Sequence, residues 1–355
     1  MMTVQMDKMT QEAMDFTRNL GISIQNMREA GEIDAGVTPK TVIYEEDKLK
    51  LYRYQPLADI VQNKIPTLIV YALVNRHYMT DIQEDRSTVQ GLLETGQDLY
   101  VIDWGFPDRS DRFLTMDDYI NGYIDQCVDV IRRRHKLQKI NILGICQGGT
   151  FSLCYTTLHA DKVQNLITMV TPVDFHTEDN HLTKSAKYLD IDLLVDTIGN
   201  VTGDMMNASF LAMQPFRLMG QKYVDAVDIL QDKNKMKNFL RMEKWIFDSP
   251  DQAGETFRQF LKDCYQNNAL VKGELKIGGQ LIDLGTLTLP ILNIYGEKDH
   301  LVPPSASKAL KDHVGTRDYS EISFNGGHIG IYVSGGAKKQ IPPAIGAWLN
   351  ERTAS

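Results

Sequence analysis

The sequence predicts an α/β fold: a mostly parallel central sheet flanked by helices, with a helical segment inserted late in the sheet. Three observations carry this. Short β-branched and aliphatic runs alternate with helical periodicities from Thr67 to Val170, and again from Pro290 to Leu349. That alternation is the signature of a parallel sheet wound on both faces. One strand-to-helix junction, Gly144-Ile-Cys-Gln-Gly-Gly149, sets a nucleophile among glycines. From about His176 to Gly285 the rhythm breaks into helices rich in Met and Phe. The expected organisation is residues 1–175 as an N-terminal helical segment and the first part of the core, 176–285 as a cap, and 286–355 as the rest of the core.

Bulk properties narrow the class. The 355 residues are 43% hydrophobic and 24% charged, ordinary for a globular protein. A net charge of −8 argues against a nucleic-acid binder, which needs a basic stripe. The N-terminus lacks the apolar core of a signal peptide. The longest apolar run, Leu68–Val74, is too short to span a bilayer. Cys127, Cys146, Cys154 and Cys264 form no C-x-x-C pair, so reduced thiols and a cytoplasmic location are expected. No metal cluster, Walker loop or dinucleotide fingerprint is present in the sequence, and no cofactor is expected.

Taken in order, the stretch up to about Val37 reads as one or two surface helices packed on the core through Met14, Phe16, Leu20, Ile22 and Ile24. Thr41–Tyr54 alternates as an antiparallel hairpin with an acidic corner at Glu45-Glu46-Asp47. Thr67–Val74 is a buried strand running into the polar loop Asn75-Arg76-His77-Tyr78, followed by a helix near Asp85–Glu94 closed by Gly96. The next strand, Leu99–Ile102, ends in Asp103-Trp104-Gly105. Thr115-x-x-Asp118 is a capping box. It opens a helix with Tyr119, Ile120, Tyr123, Ile124, Cys127, Val128 and Ile131 on its apolar face, and Arg132-Arg133-Arg134 suits its C-terminal dipole. Beyond the glycine turn come a helix and strand Leu166–Val170, then the insertion, within which Ser249-Pro250-Asp251-Gln252 reads as a helix cap. The sheet resumes at Pro290–Tyr295. A helix at Ser305–His313, strand Tyr319–Phe324 and a final helix at roughly Ile341–Leu349 complete it.

The chemistry is concentrated at Cys146. A strand, a tight turn with a nucleophile at its apex and a helix make a nucleophile elbow. Gly144, Gly148 and Gly149 leave room for that turn to close. Asp299 and His328 follow later strands, giving the order nucleophile, acid, histidine that an α/β-hydrolase fold requires. Asp103 and Asp174 also follow strands, but Asp299 follows the strand between the cap and the histidine. A cysteine beside histidine ionises readily. It also exchanges acyl groups with a thioester donor without loss of acyl-transfer potential, so an alcohol can then accept the group. The other cysteines read as structural.

The Gly144–Gly149 box, Asp103-Trp104-Gly105, Asp299-His300-x-Val-Pro and Gly326-Gly327-His328 together resemble the polyhydroxyalkanoate synthases. Asn75-Arg76-x-Tyr78, Thr171-Pro172-Val173-Asp174 and Asn238–Asp248 resemble the class III catalytic subunit, and the similarity runs over nearly the whole chain. His77 stands where this short subclass commonly has proline. The resemblance implies polymerisation of (R)-3-hydroxyacyl-CoA, chiefly 3-hydroxybutyryl-CoA, with release of CoA, which is substrate and product rather than cofactor. It implies a growing polyhydroxyalkanoate chain held on Cys146 and His328 as general base. Asp299 either orients His328 or helps activate the incoming hydroxyl. The backbone N–H of Gln147 and one from the Val74–Asn75 loop would form the oxyanion hole. It further implies an E-type accessory subunit, homo- or hetero-oligomers, storage-granule association and a cap that is closed or poorly ordered without the partner. The competing readings are a thioesterase or intracellular polyester depolymerase on the same fold, and a non-catalytic granule-associated structural protein.

Overall fold

Eight strands form one sheet in the order β1-β2-β4-β3-β5-β6-β9-β10 in the computed structural model, which describes residues 6–29, 33–34, 36–213 and 216–353. The strands are β1 (Lys40–Glu46), β2 (Leu49–Tyr54), β3 (Thr67–Val70), β4 (Leu99–Asp103), β5 (Ile140–Ile145), β6 (Val163–Met169), β9 (Ile291–Gly296) and β10 (Tyr319–Phe324). A separate two-residue hairpin, β7 (Lys276–Ile277) and β8 (Gln280–Leu281), lies between β6 and β9 in sequence. The β1–β2 hairpin is antiparallel and joins the sheet through antiparallel pairing of β2 with β4; all pairs from β4 to β10 are parallel. The central strands are buried along their whole length, as their unbroken aliphatic runs require.

Local signals place the flanking helices. Thr115 and Asp118 cap reciprocally: the Thr115 N–H and hydroxyl both donate to Asp118 Oδ2 at 2.7 Å. The helical stretch they open ends at His135, with Lys136 in the left-handed region (φ 55°). Ser87 caps the Thr88–Glu94 helix. The C-terminal helix is longer than expected, Gly335–Thr353, and contains Pro342 and Pro343. Its Pro342 packs on Gly91, where any Cβ would lie 2.7 Å from the ring. Pro342 lies at that helix–helix contact and Pro343 on the exposed face, and together they shorten the apparent sequence signal for the helix.

Two compact units divide the chain. One holds residues 36–203 and 250–355, the other the described residues before 35 together with Asp204–Ser249. The 176–285 boundaries expected for a cap therefore do not mark a compact unit. Residues 176–203 and 250–285 pack with the sheet, because Ala253, Phe260, Cys264 and Leu270 enter its core and Phe260 meets Phe151 and Phe175 edge-on. In the other unit, helix Met6–Glu29 packs on Lys222–Ile229 and Lys233–Phe247 around Ala226, Leu230 and Met236. Its packing inverts the sequence expectation. Ser23 and Asn26 are buried and donate to the Val227 and Leu230 carbonyls, whereas Met14, Phe16, Leu20, Ile22 and Ile24 are exposed. Residues 1–5, 30–32 and 35, also within the expected N-terminal helices, lie outside the described residues.

Ser249-Pro250-Asp251-Gln252 does not cap a following helix. Ser249 donates to the Ile246 carbonyl and so closes the preceding helix, and Asp251 accepts from the Gly203 N–H. Gln252 pairs with Val201 as a β-bridge, and the next helix starts at Gly254 behind Ala253 without a side-chain cap. No described helix is long and apolar enough to cross a membrane.

Candidate active site

Cys146 is the hinge between β5 and the Gln147–Leu158 helix, with φ 55° and ψ −124°, a conformation L-residues rarely adopt. Its N–H donates to the Met169 carbonyl at 2.9 Å, so the sheet itself holds the strained residue. The three elbow glycines are needed for close approach rather than for unusual backbone angles. A Cβ at Gly144 would lie 2.6 Å from Ser152 Oγ, one at Gly148 2.7 Å from the Tyr71 carbonyl carbon, and one at Gly149 2.7 Å from Thr171 Cγ2. The turn is tight on three sides.

Asp299 and His328 meet beside it. Nδ1–H of His328 donates to Asp299 Oδ2 at 2.7 Å, and Oδ1 accepts the N–H groups of Leu301 and Val302, each at 2.9 Å. Both side chains are buried, Asp299 completely. Burial alone would lower the His328 pKa. The charges of Asp299 and Cys146, and hydrogen bonds to both, hold it well above the ordinary imidazole range instead. His328 thus stands between the carboxylate and the thiol. Asp103 and Asp174 are otherwise engaged: Asp103 accepts from Arg76 and Gly105, Asp174 from His176 and Asn268.

The loop after β3 borders the elbow. Gln147 Oε1 accepts the Leu73 N–H at 3.1 Å, and the Trp104 indole donates to the Tyr71 carbonyl at 2.9 Å. These two contacts fix the approach to Val74 and Asn75. The Gln147 N–H is the first of its helix and has no intrahelical acceptor, as at any helix start. Among the described residues no cluster of His, Cys, Asp or Glu is arranged to hold a metal ion.

Sequence reasoning missed three tyrosines. The Tyr71 and Tyr332 hydroxyls lie 3.3 Å apart, and the Tyr332 ring meets His328 edge-on at 6.5 Å. Tyr71, Tyr265 and Tyr332 all have phenol pKa values raised, first by burial and further by the charge at Cys146. Their positions, 75 residues before the nucleophile, within the insertion, or just after the histidine, carry no local motif that flags them. Cys127, Cys154 and Cys264 are fully buried, and burial pushes each thiol up, Cys154 to about 12. Cys146 alone among the four is partly open.

A parallel sheet, an elbow nucleophile and a histidine–carboxylate pair at its C-terminal edge define an α/β-hydrolase fold with cysteine at the apex. The alpha/beta hydrolase fold family matches residues 59–334. A solved monoacylglycerol lipase from Paleococcus ferrophilus shares the fold at 15% identity and TM-score 0.52, over 85% of this chain and 99% of its own. The more specific likeness is to polymerases. The Poly-beta-hydroxybutyrate polymerase (PhaC) N-terminus family matches residues 6–92. The chain is 62% identical over 347 residues to the poly(3-hydroxyalkanoate) polymerase subunit PhaC of Allochromatium vinosum, covering 98% of each. To the subunit of the same name from Synechocystis sp. it is 54% identical, over 96% of this chain and 92% of that one. The chain belongs to the poly(3-hydroxyalkanoate) polymerase subunit PhaC family of enzymes.

Proposed function

We propose that this chain transfers (R)-3-hydroxyacyl groups, chiefly 3-hydroxybutyryl, from CoA thioesters to a growing polyester, with Cys146 as the attachment point. The observation that carries the reading is the line Asp299–His328–Cys146 at a strained elbow. His328 takes the thiol proton as Cys146 Sγ attacks the thioester carbonyl. The C–S bond to CoA breaks, His328 returns the proton to the departing CoA sulfur, and a cysteine thioester remains. A 3-hydroxyl then attacks a thioester carbonyl, losing its proton to His328; the C–S bond of that thioester breaks, its sulfur leaves and takes the proton from His328, and the ester link remains. The developing oxyanion meets the Gln147 N–H and one from the Val74–Asn75 loop. With Oδ2 on His328 and Oδ1 on two backbone N–H groups, Asp299 acts through the imidazole, orienting it and stabilising its charge.

Cysteine suits this chemistry because thioester exchange leaves the acyl group activated for the alcohol. The buried tyrosines near the thiol, Tyr71, Tyr265 and Tyr332, with Phe175 and Phe260 packed on Tyr265, support exclusion of water from the acyl-enzyme. An E-type accessory subunit, an oligomeric assembly and residence at a polyester granule surface in the cytoplasm belong to the proposal; the relatives' designation as subunits supports the first two. The test is incubation of the purified chain with 3-hydroxybutyryl-CoA, with and without an E-type subunit. Insoluble polyester and CoA are expected, and the Cys146→Ala variant should release no CoA. Free 3-hydroxybutyrate as the product would replace the synthase by a thioesterase.

A further inference from the structure

His77 lies just beyond the loop that borders the elbow and has no part in the chemistry above. It is 4% exposed. Lys40, reaching in from the edge strand β1, donates through Nζ to His77 Nε2 at 2.7 Å. An ammonium group has no lone pair, so Nε2 accepts and the ring proton sits on Nδ1. That Nδ1 faces Asp103 Oδ2 at 3.8 Å, and the same oxygen accepts Arg76 Nη2 at 3.0 Å. The imidazole is therefore neutral and of fixed tautomer, hydrogen-bonded to the cation on β1, and its buried Nδ1–H lies 3.8 Å from the carboxylate ending β4, toward it but beyond hydrogen-bond distance. Burial lowers its pKa well below the usual range, and Lys40 and Arg76 push the same way.

The surroundings hold each member in place. Tyr52 stacks on the ring at 5.9 Å, and Thr80 Oγ1 donates to the His77 carbonyl at 2.9 Å. The Lys40 ammonium lies 4.7 Å from the Tyr52 ring centre, and burial lowers its pKa while Asp103 and Asp81 oppose the shift. The Arg76 guanidinium rests over Phe106 at 4.4 Å. Two residues upstream lies Asn75. The 74–75 backbone is thus clamped from both sides: by Gln147 and Trp104 through Leu73 and Tyr71, and by the buried charge network through Arg76 and His77.

We propose that His77 is a positioning residue of the acyl-transfer site, which fixes the Val74–Asn75 backbone, through Lys40, Asp103 and Arg76, where its N–H meets the oxyanion. This rests on the oxyanion assignment made above. Its signature is a loss in kcat, because the oxyanion forms only in the transition state.

The experiment compares His77→Leu, His77→Gln and Lys40→Met with the native chain. Steady-state CoA release from 3-hydroxybutyryl-CoA gives kcat and KM, and the rate of Cys146 alkylation by iodoacetamide reports the elbow. Loss of an oxyanion donor costs about 10²–10³ in kcat, and a misplaced one less, so the Leu variant should lose roughly ten- to a hundredfold with KM within about twofold. Lys40→Met should fall in the same direction. His77→Gln can both accept from Lys40 and donate to Asp103, and should return to within about fivefold of native kcat. Alkylation should stay within about twofold throughout. Full kcat in the Leu variant, an equal loss in Leu and Gln, or alkylation falling in step with kcat would each overturn the proposal. If the native chain releases no CoA even with an E-type subunit present, the substrate reading fails; the same variants are then compared on acylation by p-nitrophenyl butyrate, which needs the same oxyanion donors.

Discussion

Replacing Gly149 by alanine drives a methyl group into Thr171. The new Cβ would lie 2.7 Å from Thr171 Cγ2 and 2.8 Å from its Cβ, with Oγ1 nearer still. Carbon atoms pack at about 3.5–4.0 Å, so roughly 0.8 Å must be found at each contact. Thr171 cannot easily give it. It is fully buried and follows Val170, a β-branched residue already held at φ 45°. The displacement falls on the first turn of the elbow helix, covalently joined to Cys146. Overpacking of this kind costs about 1–3 kcal/mol, and we expect the upper end. A nucleophile shifted by a fraction of an ångström should lose on the order of 10²-fold in CoA release. Thr171→Ala removes Oγ1 and Cγ2, two of the three clashing atoms. Urea denaturation of the two single variants and the double should therefore show a favourable coupling of about 1–2 kcal/mol, with partial recovery of CoA release. Strict additivity of the two substitutions would refute the steric account of the elbow.

Iodoacetamide should add once to the folded chain, at Cys146, since Cys127, Cys154 and Cys264 are fully buried with raised thiol pKa values; a second adduct by intact mass spectrometry under native conditions would contradict that. The His328 pKa is held above its ordinary 6.5, so its contribution to stability is complete below about pH 6.5 and is lost as pH rises through the folded-state pKa. The difference in denaturation midpoint between the native chain and His328→Gln should accordingly shrink with rising pH, and a difference that grows would reverse the assignment. Arg53→Met breaks a two-pronged pair with Asp98, whose side chain is only 4% exposed, and should destabilise by about 2–4 kcal/mol in the same denaturation assay. A loss below about 0.5 kcal/mol would show that pair to behave as an exposed one.

The sheet was legible because its signals are local. The Ile140–Ile145 run, the glycine box and the Thr115/Asp118 cap each encode their element within a few residues, and Tyr319–Phe324 is a strand over the very residues expected. The same holds for the histidine, set in the turn after β10 directly behind Gly326-Gly327. What could not be read is whatever depends on a distant partner. Nothing near Pro342 reveals that Gly91, some 250 residues earlier, makes the Gly335–Thr353 helix possible. Helix Met6–Glu29 looks like an ordinary amphipathic helix with its apolar residues inward. It sits the other way because Ser23 and Asn26 find the carbonyls of Val227, Leu230 and Gln231. The division of the 176–285 segment fails for a related reason. Its buried Met and Phe residues serve two different cores while others, such as Phe216 and Phe247, are exposed, and composition cannot say which is which.

The site divides along the same line, and this bears on where its specificity resides. The nucleophile and its glycines are a contiguous hexapeptide, so any chain with this fold can carry them. The acid is different. Asp103 ends a strand and Asp174 and Asp299 lie in loops just after strands, and only chain order, with Asp299 between the cap and the histidine, favours one of them in the sequence. The structure separates them by what each already holds: Arg76 occupies Asp103, Asn268 occupies Asp174, and Asp299 offers an oxygen to His328. Those prior engagements have uses of their own. Asn268 Oδ1 accepts the Phe175 N–H while its amide donates to Asp174, which draws Phe175 and Tyr265 into the wall beside the thiol. Arg76 and Asp103 anchor the loop on the opposite side. Under the proposed acyl transfer, the carboxylates not paired with His328 would shape the walls around Cys146, where an acyl-enzyme must meet a hydroxyl instead of water. Weakening either one should raise hydrolysis relative to chain growth more than it lowers acylation, which Asp174→Asn tests through the ratio of free 3-hydroxybutyrate to polyester. An unchanged ratio with lowered acylation would return Asp174 to a purely structural role.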